Sequence, residues 1–251
     1  MNCRIWLPNV IAFSGCALCD IELAFLVDSS TKTDSSAWTE MLSYVSSVVR
    51  EYNISSTCVR AAVIRYSNNA DAPIQLTSYG NVNSLVQAIG RIGFLGGSSN
   101  LAAALDLLRT QVFASSVVRS NTVQIAVIVT DQLQSSSQIT TAANSVEDQG
   151  IRIVGVAITA PGRNVDVNYF NSIVSESNCL IRVGNYGELI SGARNPVVTR
   201  CACIPPTTTP APLVSRKYFV AFVVNHRLEQ GCVSYSAGRF FELNACNYIA
   251  P

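Results

Sequence analysis

Long apolar runs alternate along this chain with segments whose apolar positions recur every three or four residues. The run Ile21–Val27, interrupted only by Glu22, reads as a strand buried on both faces. Ser35–Tyr52 places Trp38, Leu42, Val45 and Val49 at helical spacing, with Ser35 or Ser36 as the N-cap. Cys58–Ser67 is a second strand, and Ala72–Leu76 follows it closely enough to pair as an antiparallel edge that tolerates Pro73. Val82–Ile92 and Ser99–Phe113 read as helices, the latter capped near Ser98 or Ser99. Val123–Asp131 is another apolar strand that ends in aspartate, as the first one does at Asp28. A helix over Ser137–Gly150 is closed by Gly150. Ile151–Thr159, Val165–Ser175 and Cys179–Asn185 complete the series as strand, helix and strand.

This alternation predicts an α/β fold: a doubly wound, mostly parallel six-stranded sheet with one antiparallel edge strand. Ligands of such sheets bind beyond the carboxyl ends of the strands, at the point where strand order reverses. Asp28 and Asp131 both belong at that end. After residue 200 the texture changes. Residues 201–215 form a Cys/Pro/Thr-rich linker, extended where it reads "IPPTTTPAP". Residues 216–251 read as short strands clipped by Cys232 and Cys246, too few for a core without a staple.

Composition narrows the function. Of 251 residues 13% are charged, with a formal net charge of +1, so no basic excess points to nucleic acid. No apolar run approaches the roughly 20 residues of a transmembrane segment. Seven of the nine cysteines gather at the two ends, Cys3, Cys16 and Cys19 before the first strand and Cys201, Cys203, Cys232 and Cys246 after the last helix, and only Cys58 and Cys179 lie between. That placement reads as disulfide clips in an oxidising compartment. Met1–Ala17 carries Arg4, a short apolar stretch and small residues, broken by Pro8 and Asn9. Residues 1–19 therefore read as a signal peptide or as the edge of a longer chain. Asn53-Ile54-Ser55 is a glycosylation sequon between a helix and a strand, consistent with a secreted, extracellular protein.

An enzyme is not expected. Gly93, Gly96 and Gly97 match neither GxGxxG nor GxxxxGK[ST], no GxSxG is present, and the one histidine, His226, lies in the tail. Trp38 reads as helix core, Tyr66, Tyr79 and Phe94 as core or rim, and Arg65 and Arg91 as solvated.

Three segments in order, "DIELAFLVDSS", "LGGSSNLAAALDLL" (Leu95–Leu108) and "VQIAVIVTDQ" (Val123–Gln132), resemble the von Willebrand factor type A (vWA) domain across residues 20–200. The resemblance implies a non-enzymatic, protein-binding module of an extracellular matrix or cell-adhesion protein, with a matrix or cell-surface partner that includes collagen-like chains. An intracellular role in complex assembly is the alternative. It also implies a metal-ion-dependent adhesion site for Mg²⁺ or Mn²⁺, with Asp28, Ser30, Ser99 and Asp131 as the metal residues. Ser99 stands where the family has Thr. Lys32 stands where it has a second, directly coordinating Ser. Lysine has no acceptor, and a unit charge about 4 Å from a divalent ion costs roughly 8 kcal/mol at an effective dielectric of 20. The site is thus expected to be degenerate. Thr31 or Thr33 offers a substitute hydroxyl, or Lys32 itself pairs with the aspartates in place of the ion. The ends of the fold lie close, so Cys19 paired with Cys201 or Cys203 is the preferred clip, stabilising by up to about 5 kcal/mol.

Overall fold

A computed structural model describes residues 20–30 and 34–193, and the backbone of 217–224, 227–236 and 239–243. Lys32, Thr31, Thr33, Cys19, Cys201, Cys203 and Cys246, and the side chain of Cys232, lie outside the described residues, as do the expected signal segment 1–19 and linker 201–215.

The first unit is built on β1 (Ile21–Asp28), β2 (Val59–Tyr66), β3 (Ala70–Ile74), β4 (Val123–Thr130), β6 (Arg152–Ile158) and β8 (Leu180–Val183). They form one sheet in the order β3-β2-β1-β4-β6-β8. Only β3 runs antiparallel, against β2; the other pairings are parallel. A separate short ribbon pairs β5 (Gln132–Leu133) with β7 (Asn164–Val165). The helices are α1 (Ser35–Val49), α2 (Val82–Ile89), α3 (Leu101–Leu107), α4 (Ser137–Glu147) and α5 (Val167–Ile173). α3 continues into a wider π turn over Leu108–Val112. One group packs α1 against α2 and the turn Leu189–Ala193; another packs α3 against α4 and α4 against α5. Covering of both sheet faces explains why β1 and β6 are buried along their whole length.

Chain order reverses between β1 and β4. β1 is followed by β2 on one side, and β4 and β6 lie on the other. Val27 pairs with Val129, so Asp28 at the end of β1 lies level with Thr130, one residue before Asp131. The topology alone brings both strand-terminal aspartates to one place.

Several element ends differ from the sequence reading. Asp34, not Ser35 or Ser36, caps α1: its carboxylate accepts the N–H groups of Ser36 and Ala37 at 3.0 and 2.9 Å. Asn100, not Ser98 or Ser99, caps α3, which leaves the Ser99 hydroxyl free to face the sheet. α2 stops at Ile89, because the Gly90–Ile92 backbone turns to present the Ile92 carbonyl to the Trp38 indole N–H at 3.0 Å. Arg65 is not simply solvated; its guanidinium forks onto Asp71 at 2.8 and 2.7 Å and donates to the Gly93 carbonyl. Trp38 and Tyr66 are core, as expected. Cys58, at the foot of β2, is disulfide-bonded, and Cys179 carries a buried thiol.

Asp34→Ala is expected to lower unfolding free energy by about 0.5–2 kcal/mol, with Asp34→Asn retaining most of it because an amide oxygen still caps. Urea unfolding of the two variants measures the difference.

The second unit is an antiparallel sheet in the order β11-β10-β9, from β9 (Lys217–Val224), β10 (Arg227–Ser236) and β11 (Arg239–Leu243).

Candidate metal centre at the carboxyl ends of the strands

The segment after β1 and the α2–α3 connection dock on each other first. The Ser29 carbonyl accepts the Gly96 N–H at 2.8 Å, and the Ser29 hydroxyl accepts the Leu95 N–H at 2.8 Å. Gly97 has φ +95°, and a Cβ there would come within 3.0 Å of the Asn68 side chain. Asn68, from the β2–β3 turn, accepts the Ser98 N–H at 2.7 Å and, through its carbonyl, the Asn100 amide at 3.2 Å. This buttress holds Ser99 over the end of β1.

Asp28 sits at the centre and is fully buried. Its Oδ1 accepts the Ser30 N–H at 2.9 Å. Its Oδ2 accepts the hydroxyls of Ser99 at 2.9 Å and Thr130 at 3.0 Å. Burial pushes the Asp28 carboxyl above the usual carboxylate range, against the hydrogen bonds that favour its charged form. The Ser30 hydroxyl accepts from the Gln132 amide. Below them the Tyr66 hydroxyl is wholly buried, and burial drives its phenol upward.

Asp131 is also fully buried but turns to a different set of groups. Its Oδ2 accepts the hydroxyl of Tyr186, which follows β8, and lies 3.3 Å from Nε of Arg163. Arg163 comes from the β6–β7 connection. Its Nη2 donates to Asp34 at 3.1 Å, and its guanidinium lies 5.6 Å from the centre of the Tyr186 ring. The capped Ala37 N–H first, then Ser36, and then Arg163 hold the Asp34 carboxyl down to about 2. Burial, then the bond to Asp131, pushes the Tyr186 phenol up.

The structure thus brings Asp28, Ser30 and Ser99 into direct contact and sets Asp131 beside them at the same sheet edge. A divalent ion such as Mg²⁺ takes about six oxygens in near-octahedral geometry. Here both Asp28 oxygens are committed to protein donors, the Ser30 hydroxyl serves an amide, and Asp131 already faces a guanidinium and a phenol. No group of three or more His, Cys, Asp or Glu side chains that would hold an ion occurs among the described residues. As arranged among the described residues, this donor set does not fit a tightly held divalent ion.

Asn68, Thr130, Arg163 and Tyr186 were not singled out by the sequence. Thr130 ends the apolar run before Asp131 and Tyr186 follows the last strand, but nothing in their spacing marks a role. Arg163 sits in a Pro-Gly turn without periodicity.

The family model of the von Willebrand factor type A domain matches residues 22–193. Among curated relatives, the human collagen alpha-6(VI) chain is 26% identical over 186 residues, covering 74% of this chain and 8% of its own. Human matrilin-3 is 30% identical over 142 residues, covering 55% of this chain and 29% of its own. This chain therefore spans a small part of the relatives' length. Among solved structures, proximal thread matrix protein 1 from the mussel byssus, with a zinc-occupied metal-ion-dependent adhesion site, superposes with a TM-score of 0.65 at 16% identity. That match covers 72% of this chain and 48% of the mussel protein, and its low identity speaks for the fold alone. With sheet order, strand-end aspartates and family model in agreement, the chain belongs to the von Willebrand factor type A domain family.

Proposed function

We propose that this chain is a non-enzymatic, protein-binding module of extracellular matrix or cell-adhesion type, and that it meets its protein ligand at the rim above Asp28 and Asp131 through a degenerate adhesion site. The observation that carries this reading is the convergence of Asp28, Ser30, Ser99 and Asp131 on one sheet edge in a vWA fold. Relatives that include a collagen chain and a matrilin support a matrix setting. The disulfide at Cys58 supports an oxidising compartment and hence secretion. Asn53 is exposed at the turn after α1, as a glycan acceptor must be. A groove of about 500 Å³ runs beside the rim between the Gly97–Ala102 and Gln132–Ser136 segments. Its amides and hydroxyls suit the uncharged backbone of an extended, collagen-like chain.

Flow of the full chain over immobilised fibrillar collagen and collagen VI tests the reading. Saturable binding that Gln134→Ala or Asn100→Ala, within the groove, weakens at least fivefold is the expected result. Binding to neither collagen, or binding indifferent to groove and rim substitutions, rules against this ligand and this face.

A further inference from the structure

Four chain segments distant in sequence place one cation among the rim's carboxylates. Asp131 follows β4, Asp34 caps α1, Tyr186 follows β8, and Arg163 lies before β7. We propose that Arg163 is the resident cation of this rim, its guanidinium taking the electrostatic place of a divalent ion at Asp131, so that the rim is held in one shape and meets its ligand without added metal. The inference rests on the adhesion reading for its biological use, but the position of Arg163 stands without it.

The geometry is built. The β5–β7 pairing sets Gln132 beside Asn164 and Leu133 beside Val165, which carries the residue before β7 to the residue before β5. The Asp166 N–H donates to the Leu133 carbonyl at 2.7 Å and closes the ribbon. Behind Arg163, Gly162 has φ +80°, and the Arg163 N–H returns to the Ala160 carbonyl at 3.0 Å. The side chain is thereby led inward and is only 17% exposed. One guanidinium joins two carboxylates, Nε facing Asp131 and Nη2 facing Asp34, which suits its planar fork. The Tyr186 ring lies against the same guanidinium while its hydroxyl binds the same Asp131 oxygen, so Asp131 is matched from two sides.

A divalent ion at Asp131 and the guanidinium of Arg163 exclude one another by charge. Lys32 is a second positive residue, in the connection from β1 to α1, so the test removes it first. Mn²⁺ alone is titrated calorimetrically into the full chain carrying Lys32→Ser, with and without Arg163→Gln. The double variant is expected to bind Mn²⁺ at least tenfold more tightly than Lys32→Ser, about 1.4 kcal/mol. Adding Asp131→Asn should remove that gain. Equal affinity with and without Arg163→Gln, or silence in both, overturns the assignment. Arg163→Lys in the Lys32→Ser background keeps the charge and is expected to stay within about threefold of that background. A gain there equal to that of the glutamine also overturns it, since shape rather than charge would then be decisive. Far-ultraviolet circular dichroism confirms that each variant is folded before titration, and Arg163→Met, which also removes the charge, carries the test if the glutamine variant does not fold. Because the probe is the metal alone, its outcome is independent of whether collagen binds.

Discussion

Glu22→Gln is expected to lower the unfolding free energy of the vWA unit by about 3–5 kcal/mol, seen as a fall in the urea midpoint at constant slope. Glu22 interrupts the apolar run of β1 and is fully buried at the end of the sheet away from the rim. Arg60 donates to it through Nε at 2.8 Å and Nη2 at 2.6 Å. Arg119 adds its Nε at 2.8 Å and its backbone N–H at 3.2 Å. Arg119 then reaches on to the carbonyls of Ile21 and Cys58 at 3.2 and 2.9 Å, and Arg60 to that of Val117 at 2.9 Å. This carboxylate therefore organises the start of β1, the foot of β2 and the loop before β4. Glutamine keeps the shape, but its NH₂ would face a guanidinium donor, and two arginines would lose their counter-charge. Removing one partner of a buried ionic network is the costly case, because the remaining charges stay buried.

The same network sets an acid limit. Burial alone would raise the Glu22 carboxyl, but the hydrogen bonds from Arg60 and Arg119 outweigh it and hold it below the ordinary 4.5. A carboxyl depressed in the folded state contributes stability in full above its unfolded value, and that contribution is lost as pH falls through the folded value. Wild-type stability should thus decline below about pH 4.5, and the Glu22→Gln protein should lack this part of the decline.

Glu22 also illustrates what the sequence hides. The sheet was legible because short, largely apolar runs alternating with helical periods read as buried strands, and the two runs ending in aspartate located the rim. The antiparallel β2–β3 edge was legible from a short polar turn and a proline. The roles of Glu22 and Arg163 were not, because each depends on partners 23 to 129 residues away that share no period with it. Strands of two residues, such as β5 and β7, fall below any detectable alternation, yet they decide which cation meets Asp131. The sequence drew attention to Lys32 as a stand-in for the metal; the described cation at Asp131 is Arg163. Helix caps moved by one or two residues for a local reason: Asp34 and Asn100 compete with neighbouring serines, and their longer side chains reach the N–H groups of the first turn. Cysteines at the chain ends attracted the disulfide reading, and their side chains lie outside the described residues; the bond at Cys58, in the middle of the sequence, went unforeseen because nothing local marks it.

Phe170→Ala is the second substitution with a large expected effect, a loss of about 3–5 kcal/mol. Phe170 is fully buried on α5, where it lies against β6 at a position only glycine leaves open. A Cβ on Gly155 would come 2.7 Å from the Phe170 ring and 2.8 Å from Leu180. Gly155→Ala should therefore cost about 1–3 kcal/mol by overpacking. The two changes oppose one another, since one removes the ring that the other would strike. The double variant is expected to be more stable than the sum of the single losses by at least about 0.5 kcal/mol, and additivity would show that the ring moves aside without strain. This contact also bears on the rim. Phe170 fixes α5, whose cap Asp166 binds the Tyr169 N–H at 2.9 Å and closes the β5–β7 ribbon onto Leu133. Amide exchange at Asp166 should accelerate in Phe170→Ala before the central strands open, because loss of packing behind α5 loosens the ribbon first. If Asp166 exchanges only with global unfolding in that variant, the ribbon is held from the rim side, by Arg163 on Asp131 and Asp34, rather than from the core.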